Sequence, residues 1–493
     1  MAHPVVSKLQ DASLFIQKCC VNGEWVNAAS GKSFEVQNPA DGELIGNCPE
    51  FSKNDVDLAI CAASDAFVTF SAMTGRERAR LLRKWHDLVI SHQDDLSYIL
   101  SLENGKPPHE ARGEVAYAAS FLEWFSEEAP RTYGDTIPAT NPGNQVLTVR
   151  EPVGVCGLIT PKAGAALAAG CTVVIKSPPE TPFTANAIVE LALRAGIPKG
   201  VINVVTAMDN TKEVGHALTS SALVKKVSFT GSTAVGKILM SQCAETTLKK
   251  ISLELGGNAP FIVFSDADID AAVEGAIISK YRSLGQTCVC ANRFYIQDAI
   301  YEKFAAKLAA RVRDEFVVGD GLKLSRVTHG PLIHARAVQK AEEHVRDAVS
   351  KGAKVLIGGS KMPELGNNFF QPTVLTGMTA EMKIASEETF GPVAGLFRFR
   401  TEKEVIQLAN HTEMGLAAYL FTKDVQRAWR VAMAIEAGMV GLNTGLISDT
   451  AAPFGGIKSS GFGREGSKYG IDEYMTTKTV TLGGVTTTPR SRL

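Results

Sequence analysis

Residues 155–176 read VCGLITPKAGAALAAGCTVVIK, and this stretch decides the fold class. Residues 155–159 and 172–176 are short apolar runs typical of buried strands, and the small residues 162–169 between them favour a helix. The alternation continues through three further apolar runs at 201–205, 226–230 and 251–255. Short buried strands that alternate with helices indicate βαβ units around a parallel sheet, so the sequence predicts an α/β fold.

The first crossover of that sheet is too short for a usual βαβ unit. Only 11 residues, 160–170, join the first two predicted strands, whereas the next two connections have 24 and 20 residues. A parallel crossover needs about a dozen residues or more. The predicted helix would be about 12 Å long, against roughly 17–20 Å for a strand of five or six residues. Either residues are missing here or this crossover is built differently.

The rest of the chain predicts a second α/β unit and a small β extension. A second alternating block runs from residue 260 to about 445, and residues 55–130 place apolar side chains at helical spacing. Two strand-like segments, 146–149 and 477–482, stand apart from both blocks. Strands so far apart in sequence can pair at a sheet edge or at a subunit contact.

Composition restricts the partners. Lys and Arg number 51 and Asp and Glu number 52, giving a net charge of −1. Nucleic acid or an anionic membrane as the main partner would call for a basic surface. The most apolar stretch, 163–175, has 13 residues, fewer than the roughly 20 that a spanning helix needs. We therefore expect no nucleic-acid partner and no membrane segment.

The cysteines and the two ends of the chain bear on its compartment. Nine cysteines form no CxxC pair, so we expect thiols in a reducing compartment and no metal site. The first 20 residues lack the features of a secretory or transit signal. The last three, Ser491-Arg492-Leu493, resemble the Ser-Lys-Leu peroxisomal address, although so short a match also arises by chance. We expect a cytoplasmic or peroxisomal protein that is not secreted.

Three motifs have residues suited to chemistry. Gly231 and Ser232 open a GSTAVG turn between a strand and a helix, where backbone N–H groups attract phosphate. Glu254 ends an apolar strand, which suits a general base shielded from water. Cys288 follows a glycine turn in GQTCVCANR and could be a nucleophile. Each alone has a plainer explanation: a tight turn, a strand-end salt bridge or an inert buried thiol.

Together and in this order, the motifs are specific. With LELGGNAPFIVF (253–264), EETFGP (387–392) and GREGSKYGIDEY (463–474), the chain resembles the aldehyde dehydrogenase superfamily over nearly its whole length. The resemblance implies a Rossmann-like NAD(P)-binding domain at 1–129 and 151–257 and an α/β catalytic domain at 258–447. It also implies an oligomerisation extension and tail at 130–150 and 471–493, and a homodimer or homotetramer.

The resemblance also implies roles for single residues. Cys288 would attack the aldehyde, and Glu254 would activate the water that hydrolyses the resulting thioester. Five residues would hold the cofactor. They are Lys176 at the adenosine ribose, Gly231 and Ser232 at the pyrophosphate, and Glu388 with Phe390 at the nicotinamide ribose and ring.

Within the superfamily, the resemblance is to its semialdehyde branch, and it implies oxidation of succinate semialdehyde to succinate. Arg282 and Ser448 match the residues that grip the distal carboxylate, with Ser448 in a loop that departs from the branch pattern. A surface ion pair is the plainer explanation for Arg282. Cys290 matches a second cysteine that can bond to the nucleophile as a redox switch. The expected partner is a small aldehyde.

This chain departs from the family pattern in two places. Relatives have ten more residues between Pro161 and Lys162, beginning Trp-Asn-Phe-Pro and ending in Arg. The gap removes an asparagine that donates to the oxyanion and an arginine that grips the substrate. In addition, Pro179 stands where a carboxylate often holds the ribose 2′-hydroxyl, which favours NADP or use of both NAD and NADP.

Two alternatives to this function therefore stay open. The chain could oxidise another carboxylated or medium-chain aldehyde by the same chemistry. It could also be a catalytically impaired family member because of the gap. The gap itself is either a real variant or an error in deriving the protein sequence, and the intact motifs elsewhere favour the second.

Overall fold

A computed structural model describes residues 5–159 and 163–485. The predicted crossover junction, Pro161-Lys162, and the C-terminal tripeptide lie outside these residues. Among the described residues, no helix is both long enough and apolar enough to cross a membrane.

Strands and helices are numbered in chain order. The strands are β1 Cys19–Val21, β2 Glu24–Val26, β3 Ser33–Gln37, β4 Leu44–Pro49, β5 Thr136–Ile137, β6 Gln145–Pro152, β7 Val155–Ile159, β8 Thr172–Lys176, β9 Ile202–Val205, β10 Val224–Thr230, β11 Lys250–Glu254, β12 Ala259–Val263, β13 Ala291–Gln297, β14 Lys354–Ile357, β15 Thr373–Thr376, β16 Val393–Phe399, β17 Met414–Gly415, β18 Ala417–Phe421, β19 Met439–Leu442, β20 Ile457–Lys458, β21 Gly461–Phe462 and β22 Met475–Leu482. The helices are α1 Lys53–Ser71, α2 Gly75–Ser91, α3 Gln93–Asn104, α4 Pro108–Glu128, α5 Ala163–Ala169, α6 Pro182–Ala195, α7 Thr211–Ser220, α8 Thr233–Thr246, α9 Ile269–Tyr281, α10 Tyr301–Glu315, α11 Ala335–Ser350, α12 Lys383–Ser386, α13 Glu402–Asn410, α14 Val425–Ala434 and α15 Ser467–Asp472.

The first sheet contains the five strands predicted from the sequence. Its order is β2-β1-β9-β8-β7-β10-β11-β21, and the five central strands β9, β8, β7, β10 and β11 are parallel. Counted along the chain, these five lie in the order 3-2-1-4-5, so the strand order reverses between β7 and β10. Ligands of such sheets bind beyond the carboxyl ends of the strands at this reversal. The predicted α/β, Rossmann-like fold is confirmed.

The second sheet lies in the later half of the chain. Its order is β14-β15-β16-β13-β12-β18-β19, and all neighbours are parallel except β14 and β15. Helices bury apolar side chains against it in two clusters. The sheet places β12, which follows Glu254, beside β13, which follows Cys288. The two motifs therefore approach each other although 34 positions separate them.

A third sheet pairs the two isolated strands. β22 pairs with β6 in antiparallel register from Met475 opposite Pro152 to Leu482 opposite Gln145, and β5 adds the other edge. The sequence prediction that segments around 146 and 477 pair with each other is correct.

The structure contains the short first crossover that the residue count indicated. β7 and β8 pair in parallel through five residues each, yet α5 between them has only seven residues. All seven are buried, and α5 packs against α2 and α4. The Arg78 guanidinium of α2 donates to the Ala168 carbonyl at 2.9 Å, which satisfies an acceptor at the helix end.

Candidate active site

Cys288 lies in the loop that follows a one-turn 3-10 helix, Arg282–Gly285, and precedes β13. Its side chain is half-buried. The neighbouring Gly257 backbone is so close that a Cβ there would lie 2.2 Å from the Cys288 carbonyl oxygen. Residue 257 must therefore be glycine for the β11–β12 connection to pack on the cysteine loop.

Two residues of the Arg282 turn adopt a conformation that side chains rarely take. Ser283 and Leu284 have φ of 51° and 52°, which is uncommon for residues other than glycine. The Glu110 carboxylate of α4 accepts the Ser283 N–H at 2.9 Å. This contact holds the turn that joins Arg282 to the loop of Cys288.

Glu254 ends β11 and is 2% exposed, so the structure places it out of water as its apolar neighbours predicted. It pairs with Thr230 of β10 on one side and Gly461 of β21 on the other. Its carbonyl accepts the Gly231 N–H at 3.0 Å, which links the general-base candidate to the phosphate turn.

Three cofactor candidates line the carboxyl edge of the first sheet. Lys176 ends β8, and Gly231 and Ser232 follow β10 at the open start of α8. Ser232 caps α8 by accepting the Val235 N–H at 3.4 Å. Burial lowers the pKa of Lys176 to about 8, against the opposing effect of nearby carboxylates. A buried cation and an exposed helix N-terminus fit an anionic dinucleotide.

Glu388 and Phe390 lie on the other side of the glycine connection. The Gly257 N–H donates to a Glu388 carboxylate oxygen at 3.1 Å. A Cβ on Gly256 would lie 2.7 Å from the other oxygen. Burial raises the pKa of Glu388 to about 7. Phe390 has φ of 51° and is 40% exposed. These two residues are placed to contact a ligand that binds between β11, which ends at Glu254, and the loop that contains Cys288.

The predicted substrate residues share one small pocket. Arg282, Ser448 and Cys290 line a space of about 10 Å³ together with Tyr419. The Cys290 thiol donates to the Thr287 hydroxyl at 3.1 Å and is 4% exposed. Arg282 therefore lies beside the cysteine loop and is exposed.

Two polar residues of this region were missed by sequence reasoning. The Tyr117 hydroxyl of α4 bonds to Ser448, and the pKa of Tyr117 is raised by burial although Arg282 opposes the shift. Lys280, at the end of α9, is fully buried and donates to the Asn292 side chain at 2.8 Å. Tyr117 had no signal because it is one aromatic residue in a helical apolar stripe; Lys280 was detectable only as a charge in an apolar helix.

Among the residues that the structure describes, no group of three or more His, Cys, Asp or Glu side chains could hold a metal ion. The candidate site consists of a thiol, two carboxylates, a pocket beside an arginine, and a sheet edge with an open helix N-terminus.

Comparisons with known proteins identify the family of the chain. The sequence profile of the aldehyde dehydrogenase family matches residues 25–480. The chain is 54% identical over 488 residues to the glutarate-semialdehyde dehydrogenase of Pseudomonas aeruginosa, covering 97% of this chain and 100% of that protein. It is 53% identical over 486 residues to the succinate-semialdehyde dehydrogenase [NADP(+)] of Escherichia coli K12, with coverage of 97% and 100%.

Solved structures give the same relation. An NADP-dependent enzyme of E. coli superposes with a TM-score of 0.95 at 53% identity, covering 97% of this chain and 100% of that one. The succinate-semialdehyde dehydrogenase of Burkholderia pseudomallei superposes with a TM-score of 0.94 at 53% identity and the same coverage.

Proposed function

The chain belongs to the aldehyde dehydrogenase family, and from this premise we propose that it oxidises succinate semialdehyde to succinate with NADP or NAD. The observation that carries the proposal is that Arg282, Ser448 and Cys288 all lie near the Tyr117 hydroxyl. A guanidinium binds a carboxylate through two parallel hydrogen bonds, which suits a short aldehyde with a distal carboxylate. Glutarate semialdehyde is the second candidate, because a relative at 54% identity is named for it.

Cys288 and Glu254 divide the chemistry. The Cys288 thiolate forms a bond to the aldehyde carbon, and NAD(P), when bound, would supply the acceptor for the hydride that this carbon loses. Glu254 then takes a proton from the water that hydrolyses the thioester, which releases the acid and frees the thiol. Its burial at the strand end keeps the carboxylate away from bulk water.

The cofactor lies along the carboxyl edge of the first sheet in this proposal. Lys176 would contact the adenosine ribose or its 2′-phosphate, Gly231 and Ser232 would contact the pyrophosphate, and Glu388 with Phe390 would hold the nicotinamide end. Support comes from the burial of the Lys176 ammonium and from the open α8 N-terminus. Pro179 adds no carboxylate at the position that often holds the ribose 2′-hydroxyl, and the Lys176 ammonium offsets the nearby carboxylates of Glu180 and Glu50, so NADP is accepted.

The ten-residue gap after Pro161 impairs the reaction in this proposal. An oxyanion donor typically contributes about 10²–10³ in rate, and the family's donor lies in the absent segment. The test compares purified chain with a variant that carries ten residues between Pro161 and Lys162, beginning Trp-Asn-Phe-Pro and ending in Arg. NADPH absorbance with succinate semialdehyde is the readout, and we expect the insertion to raise kcat by about 10²–10³.

A matched control distinguishes the effect of the inserted asparagine side chain from the effect of the inserted backbone. The same insertion with alanine in place of its asparagine should restore folding and leave the rate low. Equal rates for all three proteins would show that the gap has no catalytic effect. No NADPH from any of them, with either semialdehyde, would refute the proposed function and leave oxidation of a medium-chain aldehyde to be assayed.

We further propose a homodimer or homotetramer assembled through the β5–β6–β22 sheet. Val149, Val480 and Leu482 lie on one face of this sheet and are 36–44% exposed, an apolar surface suited to a subunit contact. Light scattering after size exclusion should give a mass of two or four chains. A Val149→Lys and Val480→Lys double variant should lower it.

Location and domain boundaries complete the proposal. The protein is cytoplasmic or peroxisomal, and the Ser491-Arg492-Leu493 tripeptide decides between the two locations. A fluorescent fusion that loses its peroxisomal signal when the tripeptide is removed would establish the address. We propose the same boundaries for the NAD(P)-binding, catalytic and oligomerisation segments as those expected from the sequence.

A further inference from the structure

Helix α11 lies behind the segment 381–391, which includes the two residues predicted to hold the nicotinamide end of the cofactor. The Asp347 carboxylate of α11 accepts the Lys383 N–H at 2.7 Å, at the first residue of α12. The Lys351 ammonium, which follows α11, donates to the Glu381 carbonyl at 2.6 Å. These contacts fix the start of the segment against α11.

His344 of α11 reaches further along the same segment and is 1% exposed. Its Nδ1 lies 3.0 Å from the Thr389 hydroxyl oxygen, and its Nε2 lies 3.4 Å from a Glu387 carboxylate oxygen. Burial lowers the pKa of His344, with Lys340 adding to the shift and Glu387 opposing it, so the ring is mostly neutral at pH 7. Because an ionised carboxylate only accepts, Nε2–H donates to Glu387 and Nδ1 accepts the Thr389 O–H.

Phe390 is the point of backbone strain in this segment. Its φ is 51°, a value that residues other than glycine seldom adopt. Such a conformation persists only where the surrounding structure fixes it. On one side, Thr389 is buried and bonded to His344. On the other side, Gly391 packs so closely on the cysteine loop that a Cβ on Gly285 would lie 2.2 Å from the Gly391 carbonyl oxygen.

We propose that His344 is a positioning residue for the cofactor, because through Thr389 it holds Glu388 and Phe390 where they would contact the nicotinamide end. The inference rests on the cofactor site of the proposed function and does not require turnover. Leucine at position 344 would leave the buried Thr389 hydroxyl without this acceptor. Phe390 could then relax to an ordinary φ. The chain would bind the cofactor less tightly, because a smaller fraction of it would hold the binding-competent conformation.

Titration of the full chain with NADPH, followed by the NADPH fluorescence, tests this role. His344→Leu should raise the dissociation constant of NADPH about tenfold, as expected when a buried hydrogen bond loses one partner. Adenosine 2′,5′-bisphosphate has no nicotinamide end, so its dissociation constant, measured by calorimetry, should not change. A general loss of structure would weaken the binding of both ligands.

Two matched variants restrict the effect to the Nδ1 contact. His344→Asn has an amide oxygen that can take the place of Nδ1 and should restore the NADPH affinity that His344→Leu loses. His216→Leu makes the same change as His344→Leu at an exposed position of α7 and should leave both dissociation constants unchanged.

Thr389→Val tests the same hydrogen bond from its other end, and it carries the test if His344→Leu does not fold. It should weaken NADPH binding about tenfold, and the double variant should bind no more weakly than either single variant, because both changes remove one interaction. Unchanged NADPH affinity in a folded variant at either position, no rescue by His344→Asn, or an equal loss of both ligands would overturn the proposal.

Failure of the proposed function gives a different result. The unmodified chain would then bind NADPH and oxidise neither semialdehyde, while His344→Leu would still weaken NADPH binding. No binding of NADPH by the unmodified chain would overturn both the cofactor site and the role of His344.

Discussion

The affinity for NADP should fall as pH rises through about 8 because Lys176 loses its charge. Burial lowers the pKa of Lys176 to about 8, so its ammonium is about 90% charged at pH 7 and about 10% charged at pH 9. A charged hydrogen bond contributes about 1.5–3 kcal/mol, or roughly 10–150-fold in affinity. With only the charged form binding the phosphate, the dissociation constant should rise about tenfold between pH 7 and pH 9.

Direct titration with NADPH, followed by its fluorescence, measures the dissociation constant at each pH without any turnover. Lys176→Arg keeps its charge throughout the range and should give a flat curve, and Lys176→Met should be weak and flat. Glu388, with a pKa of about 7, titrates in all three proteins, so the difference between the curves isolates Lys176. The reasoning fails if the unmodified chain is flat from pH 7 to pH 9, or if Lys176→Met shows the same rise.

Three further predictions concern the thiol and the substrate. Gly257→Ala should lower kcat about 100-fold, because a Cβ 2.2 Å from the Cys288 carbonyl oxygen must displace the loop by about 1 Å; Gly113→Ala, which has open space, should leave kcat unchanged. Arg282→Met should raise KM for succinate semialdehyde about 10–150-fold and leave KM for hexanal unchanged; a matching rise for hexanal would remove Arg282 from carboxylate binding. In Cys290→Ser, dithiothreitol should no longer reverse peroxide inactivation, since Cys288 then oxidises beyond recovery; full recovery would end the redox-switch hypothesis.

The parallel sheet was predictable because its strands are buried on both faces. Such strands are continuous apolar runs, and the runs at 155–159 and 172–176 match β7 and β8 residue for residue. The edge strands β1 and β2 were not predicted, because each has three residues and no distinctive period. β2 pairs with β1, and β1 pairs with β9 through Cys20 and Val204, a contact between segments far apart in the chain.

The candidate site was predictable where a motif is local and unpredictable where it is assembled. Glu254 and Cys288 stand in short glycine-bounded segments, so the sequence alone singled them out. Tyr117 and Glu110 come to the site from α4, more than 150 positions before the residues that they contact. Only the packing of α4 against the cysteine loop makes them neighbours, and no sequence spacing reports that packing.

The residue count and the structure both bear on the origin of the shortened crossover. A cleft of about 300 Å³, lined mostly by apolar side chains, opens beside α5, and apolar side chains left without a partner forgo the stabilisation that burial gives. The functional motifs outside the crossover are complete, and a chain released from catalysis would have no reason to keep them. Both facts favour ten residues lost in deriving the sequence. Sequencing the transcript across the Pro161 and Lys162 codons tests this. Adjacent codons there would establish the short crossover as real.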